Sequence, residues 1–114
     1  MERKSGVILN EKDISWEEAG EGVTRQIFGY DDAIMMVKVK FETGAVGYKH
    51  WHIHSQTSYV ASGKFEVSIG NETRIIETGD GFYVEPDVVH GVVCLEAGML
   101  IDVFSPLRED FLKG

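Results

Sequence analysis

Apolar and polar side chains alternate along much of this chain with the period of two that marks a half-buried β-strand. Met35, Val37, Val39 and Phe41 fall on one side of such a run, and Met36, Lys38, Lys40 and Glu42 on the other. Phe65, Val67 and Ile69 alternate with Lys64, Glu66 and Ser68 in the same way. Gly70-Asn71 then supplies a two-residue hairpin signal, which predicts a return strand over 73–77. Thr78-Gly79-Asp80-Gly81 reads as another turn, ahead of strands over 82–85, 91–95 and 99–104. Upstream, 23–28 reads as a strand and 15–19 as one helical turn. At the other end Ser105 is placed to cap a short helix, with Pro106 at its first position and 108–112 inside it. Seven or more short strands separated by glycine turns, with almost no helix, predict an all-β sandwich or barrel.

Composition narrows the class. The 114 residues, 43% hydrophobic and 26% charged, are globular proportions and predict one domain over 1–114. No linker or internal repeat interrupts them. The lone cysteine, Cys94, has no internal disulfide partner, which is compatible with a reducing compartment. The N-terminal apolar patch is too short for a signal-peptide core, and no apolar run reaches membrane-spanning length, so a soluble cytoplasmic protein is expected. A net charge of -8 without a basic stripe argues against nucleic acid as a partner. It also repels anionic small molecules at long range, so an acidic ligand would need a metal or an arginine at the site.

Chemistry concentrates in His50-Trp-His-Ile-His-Ser-Gln56, which holds three of the four histidines. On a strand, His50, His52 and His54 would share a face, with Trp51 and Ile53 on the other. Alternate Cα atoms lie roughly 6.5–7 Å apart. Two imidazoles can lean together from there onto one metal at about 2.1 Å. A third reaches the same ion less easily unless the strand bends. The bland alternative is the polar face of a surface strand.

The run sits inside a longer pattern: Gly44, His50-x-His52, Gln56, Gly63, then Gly79, Glu85-Pro86-Asp87 and His90. This resembles the two linked motifs of the cupin superfamily. Gln56 stands where glutamate is usual, Glu85 and Asp87 at the usual Pro and Gly, and Cys94 at the usual Asn. The resemblance implies a double-stranded β-helix, the jelly-roll barrel, with His50, His52, Gln56 and His90 holding a divalent nickel, zinc, iron or manganese ion. His54 has no ligand role in that motif and is a candidate pocket residue, unless it takes the place of Gln56. A neutral amide in place of a carboxylate leaves the ion its full double charge, which weakens metal affinity and favours an anionic ligand.

A closer resemblance runs through Gly29-Tyr30, Tyr59-Val60, Ser62-Gly63-Lys64-Phe65-Glu66 and Leu100-Ile-Asp102-Val-Phe104-Ser-Pro-Leu-Arg108. These segments look like the KdgF-type proteins of pectin and alginate breakdown. That family opens 4,5-unsaturated monouronates to linear 5-keto-4-deoxyuronates. The likeness implies functional roles for Asp102, Phe104 and Arg108 and a small anionic sugar as substrate. Ile53-His54-Ser55 departs from that family's usual Pro-His-Glu. Read without the resemblance, Asp102 lies on a strand face with Leu100 and Phe104, an apolar setting that is unusual for a carboxylate. Phe104 by itself is more often core than a substrate platform, and Arg108 reads by default as a solvated charge, with surface pairing to Glu109 or Asp110 as the simple alternative. Two other functions fit the same residues: a cupin dioxygenase, or a non-enzymatic module that binds a small ligand. A homodimer that covers an exposed edge strand, with 23–28 as the candidate edge, completes the expectation.

Overall fold

The computed structural model describes residues 3–112. Its strands are β1 (Glu17–Gly20), β2 (Val23–Tyr30), β3 (Met35–Phe41), β4 (Val46–His50), β5 (Ser55–Ile69), β6 (Glu72–Glu77), β7 (Gly81–Val84) and β8 (His90–Ser105). They run antiparallel in the order β1-β2-β3-β8-β5-β6, with β4 pairing β8 and β7 pairing β5. The two long strands organise the rest. Along β8, the later residues pair β3 (Phe104 opposite Met35, Gly98 opposite Phe41), whereas the first residues pair β4 (Val93 opposite Val46, His90 opposite His50). β5 changes partner in the same way, from β7 to β6. This splitting of one ladder folds the chain into a jelly roll. The ladder does not close into the expected barrel, since it ends at β1 on one side and β6 on the other.

Inward residues form two apolar clusters. The larger joins Val23, Phe41, Val60, Phe65, Val67, Val92, Cys94 and Leu100, with Phe41 and Phe65 edge to face at 5.2 Å. The smaller joins Met35, Val37, Phe104 and Leu107, flanked by Phe111 and Leu112. The strand reading over 35–41 and the Gly70-Asn71 hairpin stand as expected. Gly70 takes the positive φ of 58° that such a tight turn requires.

Four expectations change. The stretches 91–95 and 99–104 are one strand, because β5 pairs alongside both, with a shift of register between them. The helical turn expected over 15–19 is instead the edge strand β1, and a 3-10 turn lies earlier, at Glu11–Asp13. The cause is Gln26, fully buried, whose amide donates to the carbonyls of Glu11 and Ile14 at 2.9 Å each and pins that segment. β1 then pairs with Val23–Arg25 alone, so the sheet edge on that side is β1 over that stretch and β2 beyond it, where the expectation named 23–28 throughout. At the C-terminus the helix shrinks to a 3-10 turn at Glu109–Leu112. Ser105 does not cap it, because its hydroxyl donates to the Ala33 carbonyl at 2.8 Å. Among the described residues no helix is long and apolar enough to cross a membrane.

Candidate active site

His50 ends β4 and His90 begins β8, directly opposite it in the ladder. The chain then leaves the strand, so His52 and His54 sit on a bend and not on the continuous strand the alternation suggested. His52 is buried there. The N–H of Asp87 donates to its carbonyl at 2.8 Å. Asp87 holds a positive φ of 69°, at the position where the cupin motif has glycine. The histidine rings converge: His50 and His90 centroids are 4.5 Å apart, His52 and His90 4.8 Å, His50 and His52 5.4 Å. One ring nitrogen from each lies within 4.8 Å of the others, on the scale of twice a metal–nitrogen bond of about 2.1 Å. Among the described residues this is the one group of at least three His, Cys, Asp or Glu side chains so disposed.

The tautomers follow from the backbone. Nδ1 of His50 faces the Tyr48 carbonyl at 2.9 Å, Nδ1 of His90 the Val88 carbonyl at 2.9 Å, and Nδ1 of His52 the His54 carbonyl at 3.0 Å. A carbonyl only accepts, so each Nδ1 carries the proton and each Nε2 keeps its lone pair for the centre of the cluster. His90 Nε2 is buried and has no hydrogen-bond partner, a costly state for an acceptor. Burial favours the neutral form of His52, His54 and His90. It pushes His90 down to about 4, lowers His52 against the opposing effect of its Gln56 contact, and lowers His54. Gln56 presents Oε1 to His52 Nε2 at 3.0 Å. Two lone-pair atoms facing each other at that distance suit a shared cation. The residues present therefore fit a divalent metal.

His54 lies outside this group. Its ring stacks edge to face on His52 at 5.3 Å, and Nδ1 is buried without a hydrogen-bond partner. It faces Arg108 and Asp110, and stands behind the cluster where Gln56 stands within it.

Beside the histidines opens a cavity of about 380 Å3 whose walls include His50, Gln56, His90, Leu100, Asp102, Phe104 and Arg108. A larger groove, about 800 Å3, runs past Glu18, Glu42 and Ser62 and contains none of these groups. The β8 alternation sends Leu100, Asp102 and Phe104 inward, as expected. Asp102 accepts a hydrogen bond from Ser58 Oγ at 2.6 Å, and burial pushes its carboxyl up to about 6 despite that bond and the positive charge of Arg108. Arg108 is not the solvated charge that its neighbours suggested. It is 9% exposed, with its guanidinium 4.9 Å from the Phe104 ring and 4.1 Å from the Phe111 ring. Asp110 holds it through Nε at 3.1 Å and Nη2 at 2.9 Å, which leaves the remaining N–H donors of the fork for another anion.

Three contributors escaped the sequence reading. Ser58 left one faint signal, a hydroxyl two residues beyond Gln56 on the same strand face. Arg25 lines the cavity and lays its guanidinium 3.8 Å from the Phe111 ring, opposite no recognisable motif. Phe111 entered the sequence reading only as one residue of the expected terminal helix over 108–112.

Comparison with known proteins now bears on this geometry. The cupin domain model matches residues 37–104, more than half of the chain. The pectin degradation protein KdgF of Dickeya dadantii is 52% identical over 99 residues, 85% of this chain and 90% of that protein. The chain belongs to the cupin superfamily, among the KdgF-like proteins. The solved structures agree. KdgF from a Halomonas species superposes with a TM-score of 0.90 at 38% identity, covering 95% of this chain and 100% of that one. An RmlC-like cupin from Shewanella frigidimarina superposes with a TM-score of 0.93 at 43% identity, covering 96% and 98%.

Proposed function

We propose that this protein opens 4,5-unsaturated monouronates, products of pectin or alginate breakdown, to linear 5-keto-4-deoxyuronates. The observation that carries the proposal is one carboxyl, Asp102, raised to about 6 and facing the same cavity as the three-histidine cluster and Arg108. The kinship with KdgF supplies the substrate class.

Such a sugar is both a hemiacetal at C1 and an enol ether across C4–C5. Opening it takes the C1 hydroxyl proton, breaks C1–O5, and returns a proton at C4. The products are an aldehyde at C1 and a ketone at C5, with no net redox change and no water consumed. A group that titrates near neutrality suits both proton transfers, and Asp102 is assigned both. Arg108 binds the substrate carboxylate with the donors that Asp110 does not use, and offsets the acidic charge of the chain. Phe104 packs against the sugar ring. His50, His52, Gln56 and His90 would hold the divalent ion, which would supply Lewis-acid stabilisation of the negative charge that develops on O5. With a neutral amide as fourth ligand, the site keeps the ion's positive charge for the substrate. The same proposal places the protein in the cytoplasm, as an isomerase that pairs through the β1 edge as a homodimer.

The test is incubation of metal-loaded protein with an unsaturated monouronate, following loss of enol-ether absorbance and formation of the keto-aldehyde by NMR. Decay at the same rate with and without protein refutes the activity.

A further inference from the structure

A continuous line of polar contacts joins the histidine cluster to Asp102, and its last two links are hydrogen bonds. Gln56 Oε1 faces His52 Nε2 at 3.0 Å, Gln56 Nε2 donates to Ser58 Oγ at 3.0 Å, and Ser58 Oγ donates to Asp102 Oδ1 at 2.6 Å. Gln56 is 6% exposed and Ser58 5%, so water competes poorly for these bonds. The strand register makes the line possible, because Ser58 and Asp102 are direct partners across β5 and β8. The two residues two positions apart on β5, Gln56 and Ser58, face the same way.

We propose that Ser58 is a positioning residue that couples the orientation of the Gln56 amide to Asp102, and that this coupling is why residue 56 is glutamine. The inference rests on the reading of Asp102 as the proton carrier. His52 Nδ1 donates to a carbonyl, so His52 Nε2 bears a lone pair. A cation between that lone pair and Gln56 Oε1 fixes the amide with its NH2 toward Ser58. Ser58 Oγ then receives that N–H, and its single proton goes to Asp102. Oδ1 of Asp102 is thereby engaged, and Oδ2 is the oxygen that exchanges a proton with the sugar. A glutamate at position 56 has no N–H to give. Its carboxylate would accept the Ser58 hydroxyl, withdraw it from Asp102 and leave the buried aspartate without its donor. The substitution that weakens the metal site thus orients the acid–base group.

Three variants of the zinc-loaded protein test this. In Ser58→Ala, kcat falls about 10-fold or more with KM and zinc stoichiometry unchanged, since one hydrogen bond to a charged group is lost. In the same protein the titration midpoint of the Asp102 carboxyl, read by 13C NMR, rises by about one pH unit. Ser58→Thr, which keeps the hydroxyl, restores both. Gln56→Glu retains zinc and raises the Asp102 midpoint, and it carries the test should Ser58→Ala lose its metal or its fold. An unmoved midpoint in Ser58→Ala, or in Gln56→Glu where that variant stands in, overturns the proposal. If the wild-type protein fails to convert the uronate, the functional reading falls, while the NMR midpoints still decide the coupling.

Discussion

The two halves of β5 obey one alternation and serve different ends. In the first half the buried positions are Gln56, Ser58 and Val60; in the second they are Phe65 and Val67. The buried parity moves from even to odd numbers between them, where the pairing with β8 shifts register around Ser62 and Lys64. Gly63 sits at that shift with a φ of +90°, and a Cβ there would meet the carbonyl oxygens of Glu96 at 2.5 Å and Ala97 at 2.8 Å. The apolar half builds the larger core by burying Val67 and the Phe41–Phe65 pair. The polar half gives up that gain at Gln56 and Ser58, which are tolerated because Gln56 donates to Ser58 and Ser58 to Asp102. One strand therefore shows where the molecule is built for stability and where it is built for chemistry.

That contrast can be broken at five points. His52→Ala has the largest effect: tight binding of the divalent ion is lost, measured as metal content after dialysis, and turnover goes with it. Stoichiometric metal in that variant dismisses the ligand set. Asp102→Asn should lower kcat by roughly 100-fold to 10,000-fold with metal content unchanged. It should also stabilise the metal-free protein. The Asp102 pKa is raised in the fold from 3.8 to about 6, so the fold favours the protonated acid. Its contribution is present below pH 3.8 and lost as pH rises through 6. At pH 7 the asparagine variant should therefore be more stable by about 2–3 kcal/mol. The advantage should vanish below pH 3.8, as denaturant titrations at several pH values would show.

The apolar half should respond in the opposite sense. Phe65→Ala, at a fully buried position, should cost about 3–5 kcal/mol of stability. Turnover per folded molecule should hold at low temperature; a large fall in kcat there would join the two halves into one functional unit. Gly63→Ala should cost about 1–3 kcal/mol through strain at the register shift. An unchanged melting temperature would show that the shift tolerates a side chain. The smallest effect is expected of Arg108→Lys, where a point charge replaces a fork: KM for the uronate should rise about 10-fold with kcat nearly intact. An unaltered KM would remove Arg108 from substrate binding.

The alternating pattern revealed most of the strands, because burial on one face of a sheet leaves a period-two record in residue type. It revealed Asp102 for the same reason, as a carboxylate on an apolar strand face. It misread 15–19, since nothing local announces that Gln26, eleven positions after Ser15, pins the preceding backbone. It misread Arg108, whose burial depends on Phe104 and Phe111 closing around it.

Residue type and spacing alone determined an all-β sandwich or barrel and the histidine run at 50–54, and the resemblance to cupins added the jelly roll and the set His50, His52, Gln56 and His90, because these are local patterns or short motifs. Tertiary structure decided what those patterns could not encode: that His54 falls behind the cluster, that the ladder stays open, and that Ser58 meets Asp102. Each of these turns on register between strands distant in sequence, and register is set by the packing of the whole sheet.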